Sequence, residues 1–251
     1  HIGAYQIEHQ SNKITFIDTP GHAAFTEMRA RGSKLTDVVV LVVAADDGVK
    51  PQTIESIKHA KAAKVPIVVA INKCDLPEAD PQKIKNQLLE YELIAEDLSG
   101  DTLMCEISAK PKKNLDKLVE SIVLQAEILD LKTDFDSKAT GIVLESKIDV
   151  GRGAVATVVV TSGTIKKGDF FVSGLKWGKV RALINDKGQN INEAPPSSPV
   201  EILGIKGAEK SGDDFVVLDT EKEAKTLSEN RAEENKSGGN PLTFATQDSA
   251  F

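Results

Sequence analysis

Three short polar clusters combine residue types that can handle a phosphorylated, nitrogen-rich ligand. The first is Asp18-Thr19-Pro20-Gly21-His22, directly after an alternating run that ends at Ile17. An aspartate at the carboxyl end of a sheet strand can hold Mg²⁺, usually through water. Gly21 can bring its backbone N–H close to a phosphate, since no side chain stands in the way. The same residues also suit a plain strand-to-helix turn, with Asp18 or Thr19 capping a helix over Ala23 to Arg31.

The second cluster is Asn72-Lys73-Cys74-Asp75, after the apolar run Ile67–Ile71. Asn and Asp can read complementary edges of a purine. A carboxylate that accepts two N–H bonds selects guanine, because adenine offers no donors at that edge. Leaving such a carboxylate unpaired and buried costs about 1–3 kcal/mol, enough to discriminate. The stem of Lys73 can lie along the plane of the base. Taken alone, the four residues also suit a polar loop before a helix. The third cluster is Ser108-Ala109-Lys110, whose backbone N–H groups can hold a base carbonyl.

Each cluster follows a strand, and the strands alternate with helices. Ala4 to Glu8 and Lys13 to Ile17 alternate apolar and polar around His9-Gln10-Ser11-Asn12, the pattern of a hairpin. Val38 to Ala45 and Ile67 to Ile71 are continuous apolar runs, as in parallel strands covered on both faces. Leu103 to Ile107 is a weaker third run. Helical spacing marks Thr53 to Ala63, Gln82 to Glu90 and Leu115 to Leu129; the last carries Leu118, Val119, Ile122, Val123 and Ala126. Alternating strands and helices predict an α/β domain with ligands at the carboxyl ends of its strands.

The pattern changes after Asp130. Residues 132–138 read as a linker. From Ala139 to Thr220 strands recur at Gly141–Ile148, Ala154–Thr161, Phe170–Val172, Lys179–Ile184, Val200–Ile205 and Phe215–Leu218. Gly151-Arg152-Gly153, Lys167-Gly168-Asp169 and Asp186-Lys187-Gly188 supply turns, and the spacing predicts a small β-barrel. Glu221 to Lys236 is a charged helix. Residues 237–251 form a flexible tail or the start of a further domain.

Whole-chain properties narrow the setting. The 251 residues are 40% hydrophobic and 27% charged, enough apolar residue for a real core. The net charge of −7 excludes a generally basic nucleic-acid binder, so any RNA contact is local. Two cysteines make no disulfide framework, and a cytoplasmic setting is expected. Cys74 and Cys105 read as small buried hydrophobes. No apolar run is long enough to cross a membrane as a helix.

Order and spacing together resemble a guanine-nucleotide-binding domain. The runs His1-Ile2-Gly3-Ala4-Tyr5, Asp18 to Phe25, Ala44-Ala45-Asp46-Asp47-Gly48-Val49 and Asn72 to Asp75 resemble bacterial-type translation initiation factor two. Gly151 to Thr157 and Gly163 to Asp169 look like the second domain of translational GTPases. The resemblance covers about residues 1–236. It implies a P-loop GTPase-type, doubly wound domain over 1–131, lacking the phosphate-loop strand, followed by a barrel over 139–220. It implies GTP or GDP and Mg²⁺ as ligands. Asp18 would contact Mg²⁺ through water, Gly21 would bind the γ-phosphate and His22 would orient the attacking water. Asn72 and Asp75 would read guanine, supported by Lys73, Ser108, Ala109 and Lys110.

The implied function is GTP hydrolysis during translation initiation, promoting initiator tRNA binding to the small ribosomal subunit and subunit joining. The implied partners are small-subunit rRNA, the GTPase-activating region of the large subunit, and initiator tRNA through C-terminal domains beyond this chain. A monomer without membrane contact is expected. The alternatives are a ribosome-binding scaffold that does not hydrolyse GTP, and a GTPase of the elongation factor class. One departure stands out: the chain holds no G-x-x-x-x-G-K-[ST]. A chain truncated at both ends, inactive alone, is therefore expected. Trp177, Lys179 and Arg181 fall on one face of a strand and suit either RNA or solvent. Tyr5 and Phe16 are expected to pack the hairpin.

Overall fold

The computed structural model describes residues 4–17, 36–129 and 136–236. Two compact units result: 36–129 form one, and 4–17 join 136–236 in the other.

The α/β unit is built on three parallel strands in the order β3 (Val39–Ala44), β4 (Ile67–Asn72), β5 (Met104–Glu106). Strand β4 is central, and Val68 to Ile71 are fully buried. That explains its unbroken apolar sequence: both faces are covered. On one face Leu41, Val43, Val69 and Ile71 pack with Ile57 and Ala60 of α1 (Pro51–Ala62), and with Ile84 and Leu88 of α2 (Pro81–Leu88). On the other, Ala70, Cys105 and Ile107 meet Leu115 and Leu118 of α3 (Leu115–Ile128). Helices on both faces of a parallel sheet make the unit doubly wound. Val42, on the α3 side of the edge strand β3, is 58% exposed. Proline opens α1 and α2, where its missing N–H costs nothing. The Asp80 carboxylate caps α2 by accepting from the Lys83 amide at 3.1 Å.

The second unit is a β-barrel. Its main sheet is antiparallel, with spatial order β10-β9-β15-β6-β7-β14-β11-β12. The long hairpin β6 (Thr140–Asp149) and β7 (Gly153–Ser162) forms its middle; β8 (Ile165–Lys166) pairs separately with β13 (Glu193–Ala194). The remaining strands are β9 (Phe170–Ser173), β10 (Lys176–Lys179), β11 (Ala182–Ile184), β12 (Asn190–Ile191), β14 (Pro199–Leu203) and β15 (Asp214–Leu218). Val143, Val158, Leu183, Val200 and Ile202 line one core, in which Phe171 and Phe215 stack at 4.4 Å.

The expected strand Lys179–Ile184 is two strands, β10 and β11. Between them the chain changes partner. The Val180 amide donates to Asp169 O at 2.9 Å, and the Arg181 amide to Leu203 O at 2.9 Å. Opposite this corner sits Gly204 at φ +114°, where a Cβ would come within 2.0 Å of Lys179 O. Trp177 and Arg181 therefore do not share one strand face. Lys206 and Lys225 lie over the Trp177 ring at 5.6 and 5.1 Å, while Lys179 lies over Phe170.

The hairpin β1 (Ala4–His9) and β2 (Asn12–Ile17) turns at Gln10 and Ser11, both at positive φ, as a two-residue hairpin turn requires. Tyr5 and Phe16 stack across it at 5.4 Å. The Gln6 amide donates to the Asp186 carboxylate at 2.9 Å, and the Thr15 hydroxyl donates to Ser197 O. These contacts tie the hairpin to barrel loops, although the sequence reading groups it with 1–131.

Helix α4 (Glu221–Lys236) buries Ala224 and Ser228 against the barrel. Its Arg231 forks onto the Asp214 carboxylate at 2.9 and 2.8 Å and donates to Gly174 O at 2.9 Å.

Candidate functional site

The candidate site lies at the carboxyl ends of β4 and β5. Asn72 is the last residue of β4 and is half-buried. Lys73 then takes a left-handed backbone, φ +60°, which ends the strand and starts a turn closed by Leu76 N–H to Lys73 O at 3.2 Å. Backbone bonds lash this turn to its neighbours. Cys74 N–H donates to Ile107 O at 3.2 Å, Ile107 N–H to Ile71 O at 2.8 Å, and Ala45 N–H to Asn72 O at 2.8 Å.

The loop after β5 closes on itself. Ser108 and Lys113 exchange backbone bonds of 3.1 and 2.9 Å. Ser108 is buried, while Ala109 and Lys110 are exposed. The two loops meet where the Ala109 N–H donates to Oδ1 of Asn72 at 3.0 Å. The structure thus brings together Asn72, Lys73, Asp75, Ser108, Ala109 and Lys110. Ser108 and Ala109 spend their amides on protein acceptors. Among the described residues the Lys110 amide is the one of the three left without an acceptor. Asp75 is exposed, and among the described residues its carboxylate has no hydrogen-bond or ion-pair partner. An exposed acid three residues past the end of β4 can accept two N–H donors from a planar ring.

Three further residues brace this pair of loops. Lys85 is buried on α2, 3.0 Å from Asp97 and 3.7 Å from Glu106 of β5. Asn114 sits at φ +61° before α3, and its side-chain amide donates to Glu106 O at 2.9 Å. The sequence reading passed over them. An asparagine just ahead of the helical stripe that begins at Leu115 was the available signal. Burial pushes the Cys74 thiol up, and Glu106 adds to the shift. Burial does the same to Cys105. Both are free thiols; Cys105 is buried as expected, while Cys74 is only half-buried, at the margin of the core.

Asp18, Gly21 and His22 lie outside the described residues. Among the described residues no cluster of His, Cys, Asp and Glu is arranged to hold a metal ion. The open polar depression on α2, lined by Asp80, Gln82, Lys83, Asn86, Gln87 and Glu90, contains none of the residues the sequence singles out.

The family model for the elongation factor Tu GTP binding domain matches residues 1–127. The chain belongs to that family. This GTPase-family chain also matches the model for elongation factor G domain 2 over residues 138–218, which agrees with the barrel. It is 92% identical over 251 residues to translation initiation factor IF-2 of Pelagibacter ubique, and spans 34% of that protein. It is 61% identical over 231 residues to translation initiation factor IF-2 of Rhizobium etli, covering 92% of this chain and 25% of that one. The resemblance to bacterial-type initiation factor two therefore holds, with this chain spanning about a third or less of these relatives. GDP-bound aIF5B from Aeropyrum pernix shares the fold, with a TM-score of 0.78 at 24% identity over 94% of this chain and 51% of that one. Apo elongation factor SelB from Methanococcus maripaludis has a TM-score of 0.66 at 24% identity over 88% of this chain and 49% of that one. Among the described residues no helix is long and apolar enough to cross a membrane.

Proposed function

We propose that this chain is the guanine-reading part and barrel of a translation initiation factor that hydrolyses GTP while promoting initiator tRNA binding and ribosomal subunit joining. The observation that carries this reading is the Asn72–Ala109 hydrogen bond, which joins the loop bearing the exposed Asp75 to the 108–113 loop. Asp75 accepts the two N–H donors of guanine, Lys73 lays its stem along the base, and the free Lys110 amide suits the base carbonyl. Adenine presents no such donors, so it leaves the carboxylate unpaired.

In this reading Asp18 would hold Mg²⁺, which would neutralise charge at the phosphates. In the same reading Gly21 donates its N–H to the γ-phosphate and His22 orients the attacking water. This chain alone carries no G-x-x-x-x-G-K-[ST], so it binds GTP weakly and does not turn it over. Its partners are ribosomal, namely small-subunit rRNA and the GTPase-activating region of the large subunit. Initiator tRNA binds elsewhere in the intact factor, which works in the cytoplasm as a monomer.

The test is His22→Ala in the full-length factor. GTP binding stays, and ribosome-stimulated hydrolysis falls about 10²–10⁴-fold, the contribution of a positioned proton-handling group. An unchanged turnover rate would remove His22 from the reaction.

A further inference from the structure

We infer that Asn114 is a positioning residue for guanine selectivity, acting on the base through the 108–113 loop. The inference rests on the guanine-reading site proposed above.

The geometry runs in one chain of contacts. Asn114 is left-handed at φ +61°, a backbone that asparagine tolerates far better than most residues. That bend turns the chain from the loop into α3, where Asn114 O accepts the first helical bond from Leu118 N–H at 3.2 Å. It also aims the side-chain amide back at β5, where Nδ2 donates to Glu106 O at 2.9 Å. Glu106 is held in turn by the buried Lys85 at 3.7 Å. One end of the loop, Ser108, continues directly from β5. The other end, Lys113, is fixed by the Ser108–Lys113 bridge and by Asn114 beside it. The loop between holds the amides of Ala109 and Lys110. Ala109 N–H is already spent on Asn72. Three links therefore set the position of the Lys110 amide: Asn72 pins the loop at Ala109, the Ser108–Lys113 bridge closes its ends, and the Asn114–Glu106 bond holds the Lys113 end against β5. Releasing the third frees the Lys113 end and shifts the amide relative to the base that Asp75 reads. The phosphates play no part in this, so base-dependent binding suffers while base-independent binding does not.

The test uses Asn114→Asp in the full-length initiation factor carrying this segment. Aspartate keeps the size of the side chain and the tolerance for the left-handed backbone. Its charge also suits the start of α3, so the helix is not weakened. A carboxylate cannot donate to Glu106 O. Titration with GDP and with ADP gives the selectivity as a ratio of Kd values. We expect that ratio to fall about 2- to 10-fold, through weaker GDP binding with ADP unchanged. Asn114→Gly, which keeps the backbone and removes the amide, gives the same fall. Ile57→Val, which thins the core beneath α1 in the same unit and lies on neither loop, serves as the control for general loosening, and it leaves the ratio alone. A folded Asn114→Asp protein with unchanged selectivity overturns the inference, as does an equal fall in Ile57→Val. A parent factor with no preference for GDP over ADP overturns the guanine site itself, and the inference with it.

Discussion

The backbone amide of Ala109 donates to Oδ1 of Asn72 at 3.0 Å, joining residues 37 positions apart in sequence. One side chain therefore serves two purposes. Its oxygen pins the loop after β5, and among the described residues its Nδ2 donors have no acceptor. Asn72→Ala removes both. The expected result is a roughly 2- to 10-fold loss of GDP affinity in the full-length factor, together with faster hydrogen exchange at Ala109. Asn72→Asp keeps an acceptor for Ala109, so slow exchange at that amide persists. Titration and amide exchange measured on the same samples separate the two roles.

Arg231 is one of the side chains that hold helix α4 on the barrel, beside the buried Ala224 and Ser228. Arg231 makes a two-pronged contact with Asp214 and a third bond to Gly174 O. Arg231→Lys keeps the charge and loses the fork. The barrel is expected to lose about 1 kcal/mol, given that Arg231 is partly exposed. Trp177, the single tryptophan, lies under Lys225 of this helix and reports the undocking as a shift in emission well before global unfolding. Emission that stays constant in Arg231→Lys would mean that Ala224 and Ser228 hold the helix without it.

Burial raises the Cys74 and Cys105 thiols, and Glu106 raises Cys74 further. The unfolded chain then ionises these thiols first as pH rises. Their contribution to stability is complete below the range of a free cysteine and is lost as pH climbs through it toward the folded values. Alkylation by iodoacetamide at pH 7.5 should be slower than for the same chain in denaturant, and the folded rate should turn upward at a higher pH than that of free cysteine.

Much of this molecule was legible from its residues, for physical reasons that differ by region. The β4 sequence is apolar from Ile67 to Ile71 because both its faces are covered there, so the strand and its parallel setting could be read together. The Asn72–Asp75 and Ser108–Lys110 clusters were legible because each stands at the end of such a strand. The split between β10 and β11 was not legible. Val180 is apolar and buried in either arrangement, so its sequence looks like strand while its backbone changes partner at the corner facing Gly204. The brace of Lys85, Glu106 and Asn114 was hidden for a different reason. Its members are spread over three elements, and only the fold makes them neighbours. Hairpin strands β1 and β2 were readable from alternation, but alternation does not say which surface they will cover. Their bonds run to Asp186 and Ser197; the sequence marks Asp186-Lys187-Gly188 as a turn, but nothing in it names the hairpin as that turn's partner.

The most direct measurement is nucleotide competition with Asp75→Asn in the full-length factor. The carboxylate accepts two donors from guanine. An amide offers one donor and one acceptor, which suits the extra carbonyl of xanthine. The proposed site predicts that GTP is displaced by xanthosine triphosphate in the variant and by unlabelled GTP in the parent. An Asp75→Asn factor that still prefers guanine over xanthine would contradict it.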